Sequence, residues 1–214
     1  MQESLGTVIK FIIITAGIAV GFWKKDKLSA ANQVFWIFLI VAAGCETLDV
    51  LMGKYYGNNR VYYHVSKPLT YALLTLALSN EIGRTKNFFL WSILLVVILS
   101  ALNAYFLQSP GTDLNTNIIV LTSLLLILQV LFFIARLFEE ANRQQMMYEH
   151  SFWIALGILI LSITSFLTLG LYNVLMQEGH AKIIPYLIIS EWIFYGAFLV
   201  NFLVQKPAQP PPNR

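Results

Sequence analysis

Seven apolar runs, each close to the length of a bilayer crossing, constrain this chain more than any other feature. They cover residues 7–23, 33–53, 65–79, 87–108, 117–138, 151–176 and 182–204. A helix needs about 20 mostly apolar residues to cross the hydrocarbon layer. Backbone in hydrocarbon must satisfy its own hydrogen bonds, which leaves helices or a closed barrel. Runs of this length predict an all-α fold, a polytopic bundle of seven transmembrane helices. Only 12% of the residues are charged, against about 25% in a soluble domain. No stretch between runs is long enough for a soluble domain. One domain is expected over 1–204, followed by a proline-rich, disordered cytoplasmic tail over 205–214.

The basic residues predict the orientation. With seven crossings, the 23–33, 79–87 and 138–151 connections and the C-terminus share one side. That side holds Lys24, Lys25, Lys27, Arg84, Lys86, Arg136, Arg143, Lys206 and Arg214; the other holds Lys10, Lys54, Arg60, Lys67 and Lys182. Short loops rich in Lys and Arg stay in the cytoplasm. The expectation is therefore a multi-pass protein of the cytoplasmic (inner) membrane, N-terminus outside and C-terminus inside. The first run lacks a preceding basic stretch, as expected of a first helix and not of a signal peptide. The net charge of +3 is a topology signal, with no nucleic-acid partner implied. Tyr55, Tyr56, Tyr62, Tyr63, Tyr105, Tyr172 and Tyr186 read as an interfacial aromatic belt on the outer side.

Against this background the segment Ala42-Ala43-Gly44-Cys45-Glu46-Thr47-Leu48-Asp49 stands out. A charge at mid-membrane costs about 2.5–3.5 kcal/mol on insertion scales. Glu46 and Asp49 are three apart and share one helix face, which must then point into the bundle. Counting about 1.5 Å per residue, Glu46, Asp49, Glu191, Asn103 and Asn173 all fall in the outer half, with Lys10 and Lys67 in outer turns. Gln129 is the main exception, and the inner half reads as Leu, Ile, Val and Phe. Either Lys10 and Lys67 pair with Asp49 and Glu46 as a structural network, or these groups line a cavity open to the outside.

Glu46 and Glu191 lie at similar depth. If they flank one space, they should share a proton or hold a cation, with Tyr195 on the face of Glu191 supporting the bound group. The candidate ligand-binding set is thus Glu46, Asp49, Lys67, Asn103, Asn173, Glu191 and Tyr195, with the catalytic set left open. No metal site and no cofactor are expected. His64, His150 and His180 lie at helix ends on different sides, without the spacing of a zinc motif. Cys45 has no partner for an intramolecular disulfide. The last run lacks the mid-helix lysine that a retinal protein needs.

Two resemblances bear on function. His64-Val65-Ser66-Lys67-Pro68-Leu69-Thr70 resembles a stretch of the bacterial lysoplasmalogenase-like membrane proteins, a family that hydrolyses a lipid vinyl-ether bond with intramembrane aspartates. The Gly-Asp of that family's next helix has no counterpart in residues 87–108, so its catalytic residues do not carry over. Asn58–His64 and residues 152–160 resemble a group of small bacterial seven-helix proteins of unassigned function associated with two-component signalling. That resemblance implies a sensory module. The reading chosen is a ligand-sensing or signal-transducing membrane module. It would bind a small ligand from the outer side, contact membrane lipids and pass its state to a cytoplasmic signalling protein. A membrane-embedded lipid hydrolase and a structural subunit of a membrane complex are the alternatives.

Overall fold

The computed structural model describes residues 2–82, 86–140, 151–170 and 184–204. The expected tail at 205–214 lies outside them. Seven long helices carry the fold: α1 (Gln2–Trp23), α2 (Ala30–Tyr56), α3 (Arg60–Ile82), α4 (Lys86–Leu102), α5 (Thr116–Glu140), α6 (Phe152–Gly170) and α7 (Ile184–Val204). No strand occurs among the described residues. Six of the seven are long and apolar enough to cross a membrane. The exception is α3, of similar length but more polar, with Arg60, His64, Lys67 and Glu81 along it. It packs against α2, α4 and α5. The chain is a multi-pass helical membrane bundle.

Side-chain contacts fix the direction of each helix. Gly6 of α1 lies against Ile188 and accepts from Trp192 in the first half of α7, while Lys24 reaches the Leu203 carbonyl at the other end. The Asn58 side chain, between α2 and α3, bonds the Gly111 carbonyl between α4 and α5, and Ser151 before α6 meets Glu81 at the end of α3. Helices α1, α3, α5 and α7 therefore start at one end, and α2, α4 and α6 run back toward it. Around the bundle the order is α1, α2, α3, α5, α6, α7 and back to α1, each packed on the next, with α4 outside the ring against α3 and α5. On α4, Phe88, Trp91, Leu94, Leu95, Val97 and Ile98 are exposed. In a lipid environment such apolar exposure carries no hydrophobic cost.

Local chemistry sets the helix ends. Ser29 Oγ accepts the Asn32 N–H at 3.2 Å and caps α2. Gly57 closes α2 with φ +65°, a left-handed conformation that glycine adopts freely. The loop expected from Lys54 to His64 thus shrinks to residues 57–59, because α2 runs on to Tyr56 and α3 begins at Arg60. Tyr62 and Tyr63 move with it, half-buried on α3, whereas Tyr55, Tyr56, Tyr105 and Tyr186 are exposed as a belt requires. Tyr172 lies outside the described residues.

The earlier start of α3 also changes Pro68. A helix over the run 65–79 would hold it in its first turn; with α3 starting at Arg60 it sits inside the helix, where proline cannot donate to the carbonyl four residues back. That carbonyl belongs to His64, and Ser100 Oγ of α4 donates to it at 3.4 Å. Farther along α4, the helix widens into a π turn at Asn103–Leu107 before the 108–115 connection.

Phenylalanines of α2 and α7 fill the centre of the ring. Phe38 stacks on Phe198 at 5.4 Å between centroids, with Phe35–Phe198 and Phe38–Phe194 edge contacts at 5.7 and 5.8 Å. These rings hold α2 and α7 apart across the bundle. On the far side, Gly157 lets α6 approach α7: a Cβ there would stand 2.7 Å from that of Ala197.

The half of the bundle away from the α2–α3 turn is not purely apolar, contrary to the sequence reading. Asn201 Nδ2 donates to Asn32 Oδ1 at 3.0 Å, and Ser151 Oγ to Glu81 Oε1 at 2.8 Å. Ser151 Oγ also lies 3.4 Å from Asn32 Oδ1, joining α2, α3, α6 and α7 in one buried cluster. Gln129, the expected exception, bonds Thr75 at 3.0 Å and Tyr71 at 2.8 Å inside the α3–α5 contact.

Candidate functional site: a charged cavity at one end of the bundle

Above the phenylalanine layer, at the end carrying the α2–α3 turn, the ring encloses a cavity of about 820 Å³. Phe38 and Phe194 form its floor, and residues of α1, α2, α3, α6 and α7 form its walls.

Lys10 is the centre of its charge. Its Nζ stands 2.6 Å from Glu46 Oε2 and 3.1 Å from Glu191 Oε2. The three side chains are 12%, 17% and 26% exposed, enough for contact with the cavity but well withdrawn from bulk water. Tyr195, one turn beyond Glu191 on α7, donates its hydroxyl to Glu46 Oε1 at 2.9 Å. Four groups from three helices thus close one network. The cation between the two glutamates comes from the chain itself. Charge-assisted bonds of this kind are roughly twice as strong as neutral ones.

Of the lysine–acid network that was one of the two alternatives, only the Lys10–Glu46 pair forms, beside a cavity that these groups also line. Lys10 takes Glu46 and Glu191. Asp49 Oδ1 instead accepts the side-chain amide of Asn59 at 2.8 Å. The Lys67 ammonium lies over the Tyr63 ring, 5.3 Å from its centroid. The helical spacing of Tyr63 and Lys67, four apart, was the signal for that contact.

Of the candidate ligand-binding residues, Glu46, Asp49, Lys67, Glu191 and Tyr195 line this cavity. Asn103 does not. It is buried in the π turn, where its Nδ2 donates to Gln108 and Asn115 and its Oδ1 accepts from Asn117. The sequence gives depth but not the face a residue turns to its neighbours, and in the π turn Asn103 faces the 108–115 connection and the first turn of α5. Asn173 lies outside the described residues. Asn59, Tyr62, Tyr63, Ser66 and Ser165 line the cavity without having been expected there. Tyr62 and Tyr63 had been read as belt because α3 was started too late, whereas Asn59 does lie in the loop and reaches the cavity through Asp49.

Second to the charges is the free thiol of Cys45, half-buried and on the cavity wall. Among the described residues no group of three or more His, Cys, Asp or Glu side chains could hold a metal ion. His64 is buried and directs Nε2 to the Asp113 carbonyl at 3.2 Å; His150 and His180 lie outside the described residues.

No protein-family model, no curated protein and no solved structure matches the chain. Function must be argued from the cavity.

Proposed function

We propose that the chain is a ligand-sensing membrane module whose cavity binds a small polar molecule. The observation that carries this reading is Lys10 held between Glu46 and Glu191 on the wall of an 820 Å³ cavity. Ionisable groups inside a membrane bundle are costly and mark functional sites by default. The volume falls in the range of ligand pockets, about 300–1,000 Å³.

The cavity end faces the outside of the cytoplasmic membrane in this reading. The order of the apolar runs assigns nine of the 14 Lys and Arg residues to the opposite side, the bias that marks a cytoplasmic face; among the described residues Lys24, Lys25, Lys27, Lys86 and Arg136 are at that end. The signal leaves through α2 and α7. These two helices carry Glu46 and Tyr195 at the cavity and Asn32 and Asn201 in the distal cluster, so a ligand that shifts one end changes the other. A cytoplasmic partner protein reads that change, in keeping with the resemblance to seven-helix proteins of two-component signalling. A lipid hydrolase would need a slot between helices open to lipid. The helices around the cavity pack pair by pair in a closed ring, which favours a water-borne ligand.

Cys45 provides the test. In intact cells a charged, membrane-impermeant methanethiosulfonate should modify Cys45 through the cavity. A thiol that resists the reagent in cells and in the purified protein would overturn the reading. Modification only after lysis would reverse the orientation.

A further inference from the structure

Three charges that line the cavity stand outside its ion pairs: Asp49, Arg60 and Lys67. The Arg60 guanidinium is turned to the Thr112 carbonyl, which leaves Asp49 and Lys67, opposite in sign. Helix α2 ends at Tyr56 and α3 begins at Arg60, so Asp49 and Lys67 each lie seven positions from the turn. On adjacent, oppositely running helices that puts them level, about 10 Å from the turn. Both line the cavity. Neither takes part in an ion pair with a described residue; the ion pairs of the cavity are those of Lys10 with Glu46 and Glu191. Each is oriented by a neutral partner instead, Asp49 by the Asn59 amide and Lys67 by the Tyr63 ring.

We infer that the space between Asp49 and Lys67 binds a zwitterion, an amino acid with an apolar side chain. Its ammonium meets Asp49, its carboxylate meets Lys67, and its side chain rests on Leu161, Leu187 and Ile188 of the α6–α7 wall. The inference rests on the reading of the cavity as a ligand site and names the ligand class. A ligand with both charges compensates both groups and adds no net charge to the cavity. A ligand with one charge leaves the other group uncompensated, the arrangement that buried ionic sites reject most strongly.

The experiment uses the full-length protein in nanodiscs of phosphatidylglycerol, with the modification rate of Cys45 as readout. Leucine is compared with isopentylamine, which lacks the carboxylate, and 4-methylpentanoate, which lacks the ammonium. Leucine is expected to slow modification, and the two analogues to leave it unchanged. Asp49→Asn and Lys67→Met should each weaken protection by leucine by about tenfold or more, with the ligand-free rate and the thermal midpoint marking an intact fold. Equal protection by the analogues overturns the inference. So does a lack of protection by leucine, isoleucine, methionine and phenylalanine when Cys45 is readily modified. Absence of modification in any condition defeats the cavity reading itself, and the inference with it. A repeat in phosphatidylethanolamine nanodiscs separates the sources. Protection by that lipid alone, with no further effect of leucine, would make a lipid headgroup the zwitterion and overturn the assignment to a free amino acid.

Discussion

Tyr195 donates its hydroxyl to Glu46 at 2.9 Å across 149 positions of sequence. The bond spans α2 and α7 at the level where the phenylalanine layer gives way to the cavity. Tyr195 is itself 6% exposed, so its ring belongs to the core and its oxygen to the site. Tyr195→Phe keeps the ring and removes only that oxygen. It should lower stability by about 1 kcal/mol, measured as the shift of the denaturation midpoint in detergent. A shift no larger than that of Tyr186→Phe, on an exposed ring, would show that Glu46 does not depend on the bond.

Lys10 and Glu46 should behave as a coupled pair. Removing Lys10 strands two carboxylates, whereas removing Glu46 leaves Lys10 with Glu191. Lys10→Met is therefore expected to destabilise more than Glu46→Gln. The double variant should fall short of the sum of the two by about 0.5–3 kcal/mol. Strict additivity in the thermal unfolding of the four proteins would refute the network.

Ser100 and Pro68 make a second coupled pair through a backbone carbonyl. Ser100→Ala removes the hydroxyl that serves His64 O and should cost about 1 kcal/mol. Pro68→Ala restores an N–H four residues on, so that in its background Ser100→Ala should be close to neutral. The same cost in both backgrounds would mean that Ser100 acts through packing alone.

Close packing of α6 on α7 sets a steric limit. Gly157→Ala places a methyl 2.7 Å from the Ala197 Cβ and 3.2–3.3 Å from the Phe194 backbone. The helices must separate, at about 1–3 kcal/mol. Gly44→Ala, at a site with open space, serves as the control and should leave the melting temperature unchanged or raised.

Orientation can be read from two engineered thiols, placed one at a time. In a Cys45→Ala background, Thr112→Cys at the exposed tip between α4 and α5 should react with an impermeant maleimide on intact cells, and Lys25→Cys should react only after lysis. Asn115 is unsuitable for this purpose because it is fully buried in the π-turn network. The reverse pattern would place the cavity on the cytoplasmic side.

The sequence by itself determined the class: apolar runs of membrane length admit only spanning helices, and the runs are local. It determined that Glu46 and Asp49 share a face, because helical periodicity fixes azimuth within one helix. Depth was legible for the same reason, which is why Glu46 and Glu191 were matched before any contact was known. What one helix presents to another was not legible. That Lys10 goes to Glu46 and Glu191, and not to Asp49, depends on the rotation of three helices about their axes. Asn103 was lost to the site by a single π turn, which no local propensity announces. The distal cluster of Asn32, Glu81, Ser151 and Asn201 was missed because each residue, taken alone, looks like a cap or an isolated polar group. The start of α3 decided the most: once it lies at Arg60, Tyr62 and Tyr63 join the helix that carries Lys67, and Pro68 becomes an interior residue. Spacing along a helix is written in the chain, whereas the pairing of faces is set by how the ring closes around its phenylalanines, and only the tertiary structure holds that.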